Sequence, residues 1–433
     1  MIRYHQALAL IQAAAAKRAL DEEHVPLTEA VGRVAAREVR SPEHVPGFDN
    51  SAMDGFAVRS SDTGAASAER AVALAVGGRL AAGDDASGVV ARREASGLVA
   101  GAVEIMTGAP IPAGFDAVVR IEDVEVTRGP GGDPVEVKLR APVPAGEHVR
   151  PRGNDFPEGH RIVAAGELIR PEHISALATV GVPALAARRR VRVAIISTGK
   201  EVVPHTTRVL SPGAIRNSNA PWLAAALQLA GAECVHLESV GDEPQDFRRA
   251  VGRALERRID VLITTGAVSM GRHDYVASEL DALGATTHFH RVAIRPGKPV
   301  AFAELPRGPA VFALPGNPVS TAVGLRFFAL PFLRGIAGVA PEIPFRAVLR
   351  HEAKKTDGLR CFFKAWVDLA PRGVSVEVLR GQGSAVVSAM IDANAWAILP
   401  EEGERCPEGT ELEVVPLHLP DLFFGRRPRG ATP

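Results

Sequence analysis

Cysteine is scarce: the 433 residues contain three, Cys234, Cys361 and Cys406, and none stands in metal-ligand spacing with another. That scarcity fits a reducing cytoplasm rather than a disulfide-stapled scaffold. Net charge is absent too, since 50 Lys+Arg balance 50 Asp+Glu. No global field therefore draws in nucleic acid or an anionic membrane, and any anion must be held by a local arrangement. No apolar run approaches the length of a membrane span. The start, MIRYHQALALIQAAAAKRAL, is a charged amphipathic helix and not a secretory leader. Neither GxxxxGK[ST] nor GxGxxG occurs, which argues against P-loop hydrolysis and dinucleotide oxidoreduction.

The length suggests roughly two to four domains. Ala7, Leu8, Ile11 and Ala15 mark one helical face, and the pattern predicts a second helix over 27–39 with Thr28 as N-cap. From about Val45 to His148 short Val-rich runs alternate with Gly/Pro/Asp clusters, as in a compact β domain inserted between helical segments. A helix is predicted over 171–181. From Val191 onward buried apolar strands alternate with helices, the signature of a parallel sheet covered on both faces. Near Pro341 the chain returns to β runs, and the tail after Phe424 reads as disordered.

Three strands end in suggestive loops: Ser197-Thr198-Gly199-Lys200-Glu201, Thr265-Gly266-Ala267-Val268-Ser269 continuing to Asp274, and Pro315-Gly316-Asn317-Pro318. Open parallel sheets bind ligands outside the carboxyl ends of their strands, and Gly there lets backbone N–H groups approach a phosphate. Glu201, Asp242 and Asp274 bring carboxylates to the same ends, able to hold Mg²⁺ bridged to phosphate oxygens. Asp242 also suits an N-cap for the helix from Pro244. Two stiff basic loops follow, Arg295-Pro-Gly-Lys298 and Arg150-Pro-Arg152-Gly-Asn-Asp155, either solvated or anion-binding. Far upstream, Asp49-Asn-Ser-Ala-Met-Asp54-Gly55 is either an ordinary turn or a carboxylate site.

In this order, FDNSAMDGFAVR, IMTGAPIPAGFDAVV, VRPRGNDF, STGKEVV, TTGAVSMGRHDYV, IRPGKPVAF, LPGNPVS and GQGSAVVSAM resemble the molybdopterin molybdenumtransferase family, related to the gephyrin E-domain. The resemblance spans nearly the whole chain. It implies a multidomain fold combining α/β and all-β parts: a helical linker domain (1–44 and 149–187), an inserted β domain (45–148), and a three-layer α/β domain with a parallel sheet (188–340). A C-terminal β-barrel (341–424) and a short tail (425–433) complete it. It implies a homodimeric cytoplasmic enzyme that inserts molybdate into adenylylated molybdopterin and releases AMP with Mg²⁺. Transient contact with a molybdopterin adenylyltransferase and with apo-molybdoenzymes is implied too, and none with nucleic acid or membrane.

Carried over by motif, Glu201, Asp242 and Asp274 are the expected Mg²⁺ residues. Arg295, Lys298, Arg360 and Ser384 form the expected anion site, and Gly266, Ser269, Pro315 and Pro318 line the pterin-nucleotide cleft. Asp54, Thr107 and Asp155 approach from the neighbouring subunit. The chain departs from the family pattern at Lys200, Asn217, Ala267, Arg272 and Arg295, which makes the rim more positive and implies tighter anion retention or altered metal dependence. Tungstate insertion, adenylylation of molybdopterin and a non-catalytic cofactor scaffold are the competing readings. The inserted β domain and the GQGS segment weigh against adenylylation.

Overall fold

The computed structural model describes residues 1–89, 101–267, 275–306, 308–370 and 373–418. Its centre is a six-stranded sheet in the spatial order Glu233–Val240, Arg192–Thr198, Val261–Thr265, Ala310–Leu314, Ala301–Glu304, Thr286–His290. The first four strands are mutually parallel. Ala301–Glu304 runs the other way, so the sheet is mixed and not purely parallel. The reason is its short connection to Ala310–Leu314, which turns a hairpin but is too short for a crossover helix. Helices Asn219–Leu229, Pro244–Glu256 and Val276–Ala282 cover the faces, with a continuous helix Pro318–Ile336. That last helix alone, among the described residues, is long and apolar enough to cross a membrane, and it is mostly buried in the core.

The first helix, Tyr4–Ala15, belongs to this body and not to the linker. Ala7, Ile11, Ala14 and Ala15 are buried, in one cluster with Phe328, Phe332 and Ile336. Tyr4 stands edge-on to Phe328 and Phe362, with ring centroids 5.6 and 5.3 Å apart. The second helix is a single turn, Leu27–Ala30, following Pro26 at the N-cap position, so Thr28 does not cap it. Gly32 has φ +77°, and the backbone beyond it pairs instead: Ala35 N–H donates to Glu167 O and Ala36 N–H to Ala186 O. Tertiary pairing overrides local helix propensity here.

Strand Glu22–Pro26 pairs with Ala184–Arg188, and Val39–Arg40 with Arg161–Val163, beside helix Pro171–Thr179. Between these segments lies a six-stranded β unit in which Gly55–Val58 sits between Ala102–Ile105 and Ala117–Arg120. Near the C-terminus, Arg360–Ala370 pairs with both Gly373–Val378 and Ala395–Leu399, and Phe345–Leu349 with Glu411–Pro416 completes a closed five-stranded barrel. A short parallel strand, Ile294–Arg295, adds beside Arg360–Cys361 and ties the barrel to the central body.

Gly55 is the tightest point of the β unit. A Cβ there would stand 1.9 Å from Val119 O, a backbone atom with nowhere to go. Gly55→Ala is therefore expected to destabilise the protein by on the order of 3 kcal/mol or more, read as a lowered midpoint in urea denaturation. A midpoint within error of wild type would contradict this packing.

Candidate active site

Parallel register brings four strand ends to one edge. Ser197 lies level with Thr265, Thr265 with Leu314, and Thr198 with Val240. The loops beyond them are stitched together: Gly199 N–H donates to Val240 O at 3.2 Å, Gly266 N–H to Leu314 O at 3.1 Å, and Asn219 Nδ2 to Gly316 O at 2.7 Å. Gly266 has φ +95°, and a Cβ on it would meet Thr198 O at 2.6 Å. A Cβ on Gly316 would stand 3.6 Å from the Gly266 Cα. These glycines let the strand-end backbones touch, which leaves their N–H groups close to one another. Ala267 has φ +49°, a left-handed conformation unusual for a residue with a Cβ.

Carboxylates border this edge. The Glu201 carboxylate folds over Gly199, 2.7 Å from where a Cβ would be. Asp242 follows directly on Val240-Gly241. Neither has a hydrogen-bond or ion-pair partner on its carboxylate among the described residues. Asp242 does not cap a helix: Glu243 holds the N-cap position, with no side-chain cap bond. Tyr275 OH donates to Gly241 O at 2.9 Å, and its phenol is pushed up to about 12, first by burial and then by the Asp242 charge. Ser269 and Asp274 lie outside the described residues, as does Arg272.

On the other flank the Arg295–Lys298 turn packs against the first turn of helix Pro318–Ile336. A Cβ on Gly297 would lie 3.5 Å from Ser320 O. Arg295 and Lys298 are exposed, and Arg295 Nη1 donates to Thr356 Oγ1. Pro315 and Pro318 flank the helix start, and Val319 N–H donates to Ser384 O at 3.0 Å, so the GQGS loop docks on the same terminus. A helix N-terminus with cations beside it favours anions.

Arg360 does not join them as a free cation. Its guanidinium is bound to Glu413 at 2.8 Å and Glu401 at 3.5 Å, and it lies over the Tyr4 ring. What anchors the GQGS loop is Lys364, which the motifs did not single out. This lysine is fully buried and its ammonium donates to the carbonyls of Gly381 at 2.7 Å, Val386 at 3.0 Å and Gly383 at 3.4 Å. Burial pushes its pKa down. Gln382 exchanges hydrogen bonds with the Lys364 backbone. Phe363 and Ala365 face the barrel core, so Lys364 lies on the opposite face with its strand partner Trp396, and a lysine amid the apolar run 361–367 was the available signal.

Asp54 and Thr107 form a second group. Thr107 donates twice to Asp54 Oδ1, from its N–H at 2.7 Å and its hydroxyl at 2.9 Å. The backbone bond first and the hydroxyl second hold this exposed carboxyl below the usual carboxylate range. The turn is fixed on both sides: Asp49 Oδ1 accepts from Arg152 N–H at 2.7 Å, and Gly108 N–H donates to Ser51 O at 2.8 Å. Asp155 is exposed nearby, its N–H bound to Val45 O. Among the described residues no hydrogen bond or ion pair joins this group to the strand-end edge.

Three family models match in tandem: the MoeA N-terminal region (domain I and II) over 2–181, a probable molybdopterin binding domain over 194–335, and the MoeA C-terminal region (domain IV) over 346–417. The molybdopterin molybdenumtransferase of Synechococcus elongatus is 39% identical over 415 residues, covering 96% of this chain and 99% of that protein. The chain belongs to the molybdopterin molybdenumtransferase family. Molybdopterin molybdenumtransferase 2 of Mycobacterium tuberculosis is 35% identical over 407 residues, 90% of this chain and 94% of that one. Among solved structures, the molybdopterin biosynthesis MoeA protein of Pyrococcus horikoshii superposes with a TM-score of 0.79 at 30% identity, covering 96% of this chain and 99% of that one. The multidomain fold of this family is thus the fold of this chain.

Two outcomes follow within the family fold. Thr107→Val removes the hydroxyl donor, so the Asp54 pKa should rise toward the ordinary value in a carboxyl ¹³C NMR titration. In the wild type, the depressed pKa means a stabilising contribution present at neutral pH and lost as pH falls through that folded-state value. An unmoved titration would refute the pairing. Lys364→Met leaves three carbonyls without their donor and should cost about 2 kcal/mol, with faster hydrogen exchange over 380–387 as its local sign.

Proposed function

We propose that this chain is a molybdopterin molybdenumtransferase, which takes adenylylated molybdopterin and molybdate, joins the metal to the dithiolene and releases AMP. Its role in molybdenum cofactor biosynthesis rests on family membership across the full chain. The structural observation that carries the finer reading is the composition of one edge. Glu201 and Asp242, whose carboxylates have no partner among the described residues, stand on one flank, and the exposed cations Arg295 and Lys298 stand by a helix N-terminus on the other.

Mg²⁺ fits this donor set. The ion takes oxygen ligands, one or two carboxylates together with substrate phosphates, and Glu201 and Asp242 offer carboxylates that have no partner among the described residues. They would hold it with Asp274. Bound there, Mg²⁺ supplies neutralisation of pyrophosphate charge.

The protein's own residues supply position. Gly266 and Gly316 keep side chains out of the space above the strand ends, and Asn217 fixes the adjacent helix by accepting from Ala220 N–H while donating to Ser239 Oγ. Arg295 and Lys298 collect the oxyanion molybdate beside Ser384, holding two anions close at little entropic cost at the moment of reaction. Gly266, Pro315 and Pro318 line the pterin-nucleotide cleft, with Ser269. Arg360 is assigned no anion, because two glutamates already occupy it.

Asp54 and Thr107, with Asp155, join this edge from the neighbouring subunit of a homodimer. Among the described residues they make no hydrogen bond or ion pair to the edge, which supports that arrangement. The two-donor cradle keeps Asp54 ionised at neutral pH, so it acts as a fixed negative group and not as a proton donor. We assign the enzyme to the cytoplasm, in transient contact with a molybdopterin adenylyltransferase and with apo-molybdoenzymes.

The assay is direct. Purified protein with adenylylated molybdopterin and Mg²⁺ should release AMP only when molybdate is present. Asp54→Asn should lower that release at least a hundredfold while dimer mass and nucleotide binding persist. Substrate binding without any molybdate-dependent turnover in the wild type would overturn the transferase reading in favour of a scaffold.

A further inference from the structure

The segment that carries Asp242 is held from outside. Each of the residues just before it accepts a hydrogen bond from a different part of the edge: Ser239 Oγ from Asn217 Nδ2 at 3.0 Å, Val240 O from Gly199 N–H at 3.2 Å, and Gly241 O from Tyr275 OH at 2.9 Å. The helix that follows does not fix the segment, since Glu243 at its N-cap makes no side-chain cap bond.

Gly241 has little restraint of its own. A Cβ on it would meet nothing within 4 Å, so no neighbour confines its backbone. Among the described residues no backbone N–H reaches its carbonyl; the Tyr275 phenol does. Glycine loses more conformational freedom on ordering than any other residue, so a bond at this carbonyl decides how the next residue is presented. That next residue is Asp242.

The phenol is a fixed post. Its ring stands edge-on to Phe247, with centroids 5.9 Å apart. The helix that starts after it, Val276–Ala282, is tied to Pro244–Glu256 by the pair Arg248–Glu279, with Glu279 buried. Phe247, Ala250, Val276 and Leu280 share one core cluster. The hydroxyl thus spans from the head of one helix to the segment that enters the other.

We propose that Tyr275 is a positioning residue for the metal site, aiming the Asp242 carboxylate through the Gly241 peptide, a role that rests on the Mg²⁺ reading of this edge given above. Mg²⁺ demands near-ideal octahedral geometry with oxygen bonds of about 2.1 Å, so it tolerates little drift in a carboxylate. The hydroxyl proton is committed to Gly241 O, so the tyrosine acts through the segment and not as a proton donor. Without that bond the Gly241 peptide rotates, and the carboxylate one residue on samples several directions.

The test compares wild type, Tyr275→Phe, Asp242→Ala and the double variant, each as the full chain. Tyr275→Phe keeps the ring against Phe247 and removes only the hydroxyl. Mn²⁺ alone, followed by loss of its free-ion EPR signal, should bind the wild type, and bind Tyr275→Phe about tenfold more weakly. In the Asp242→Ala background the same change should cost nothing further, because the carboxylate it aims is gone. Hydrogen exchange of the metal-free protein should quicken at 241–243 in Tyr275→Phe. In AMP release, half-saturating Mg²⁺ should rise by about the same factor while kcat at saturating Mg²⁺ stays close to wild type; a general loss of structure would lower kcat as well. No Mn²⁺ binding to the wild type, equal affinity in wild type and Tyr275→Phe, or the same loss with and without Asp242 would each overturn the role. A wild type that binds Mn²⁺ with this Tyr275 dependence but releases no AMP would overturn the transferase reading and leave the positioning role standing.

Discussion

Everything at the working edge depends on how closely the strand-end backbones approach one another. The parallel register delivers the ends of Arg192–Thr198, Glu233–Val240, Val261–Thr265 and Ala310–Leu314 to one level. The missing Cβ atom of Gly266 lets the loop beyond it lie against Thr198, and that of Gly199 leaves room for the Glu201 carboxylate. A side chain at Gly266 would collide with Thr198 backbone, pushing apart two loops that must face one substrate. The acids and cations are then placed by loops that are already fixed.

The two flanks are built differently. On the acidic side, Glu201 and Asp242 have no partner among the described residues, so their charge is available to a cation. On the basic side, the charge that matters structurally is hidden. Lys364 spends its ammonium on three carbonyls of the GQGS loop, and this loop in turn receives Val319 N–H through Ser384 O. Arg295 and Lys298 stay exposed beside it. A barrel lysine thus positions a loop at the head of a helix belonging to the α/β body.

Much of this was legible in the sequence. Apolar runs with Gly and hydroxyl residues at their ends located the strands of the central sheet and the edge they share, because buried parallel strands are continuous in hydrophobicity. Less legible were features set by partners distant in sequence. The helix expected over 27–39 gave way after Ala30, because pairing with residues near Glu167 and Ala186 satisfies the same backbone better. Arg360 looked like an anion ligand by motif, and nothing local revealed that Glu401 and Glu413 would claim it. The antiparallel run of Ala301–Glu304 was hidden because its alternation with neighbours resembles a parallel strand until connection length is weighed.

The placement of Tyr4–Ala15 has a consequence for how the chain is made. Its buried face is completed by Phe328, Phe332 and Ile336, and Tyr4 reaches Phe327 O across a separation of 323 residues. At roughly 5–20 residues per second of synthesis, that interval is about 15 to 65 seconds. For all that time this helix exposes a stripe of alanine, isoleucine and tyrosine that its later partners do not yet cover. The β unit and the linker strands can close meanwhile, but the central body cannot. Nascent chains therefore pass through a long stage in which the segment Tyr4–Ala15 needs shielding, and truncation products ending before residue 327 should be the ones that aggregate.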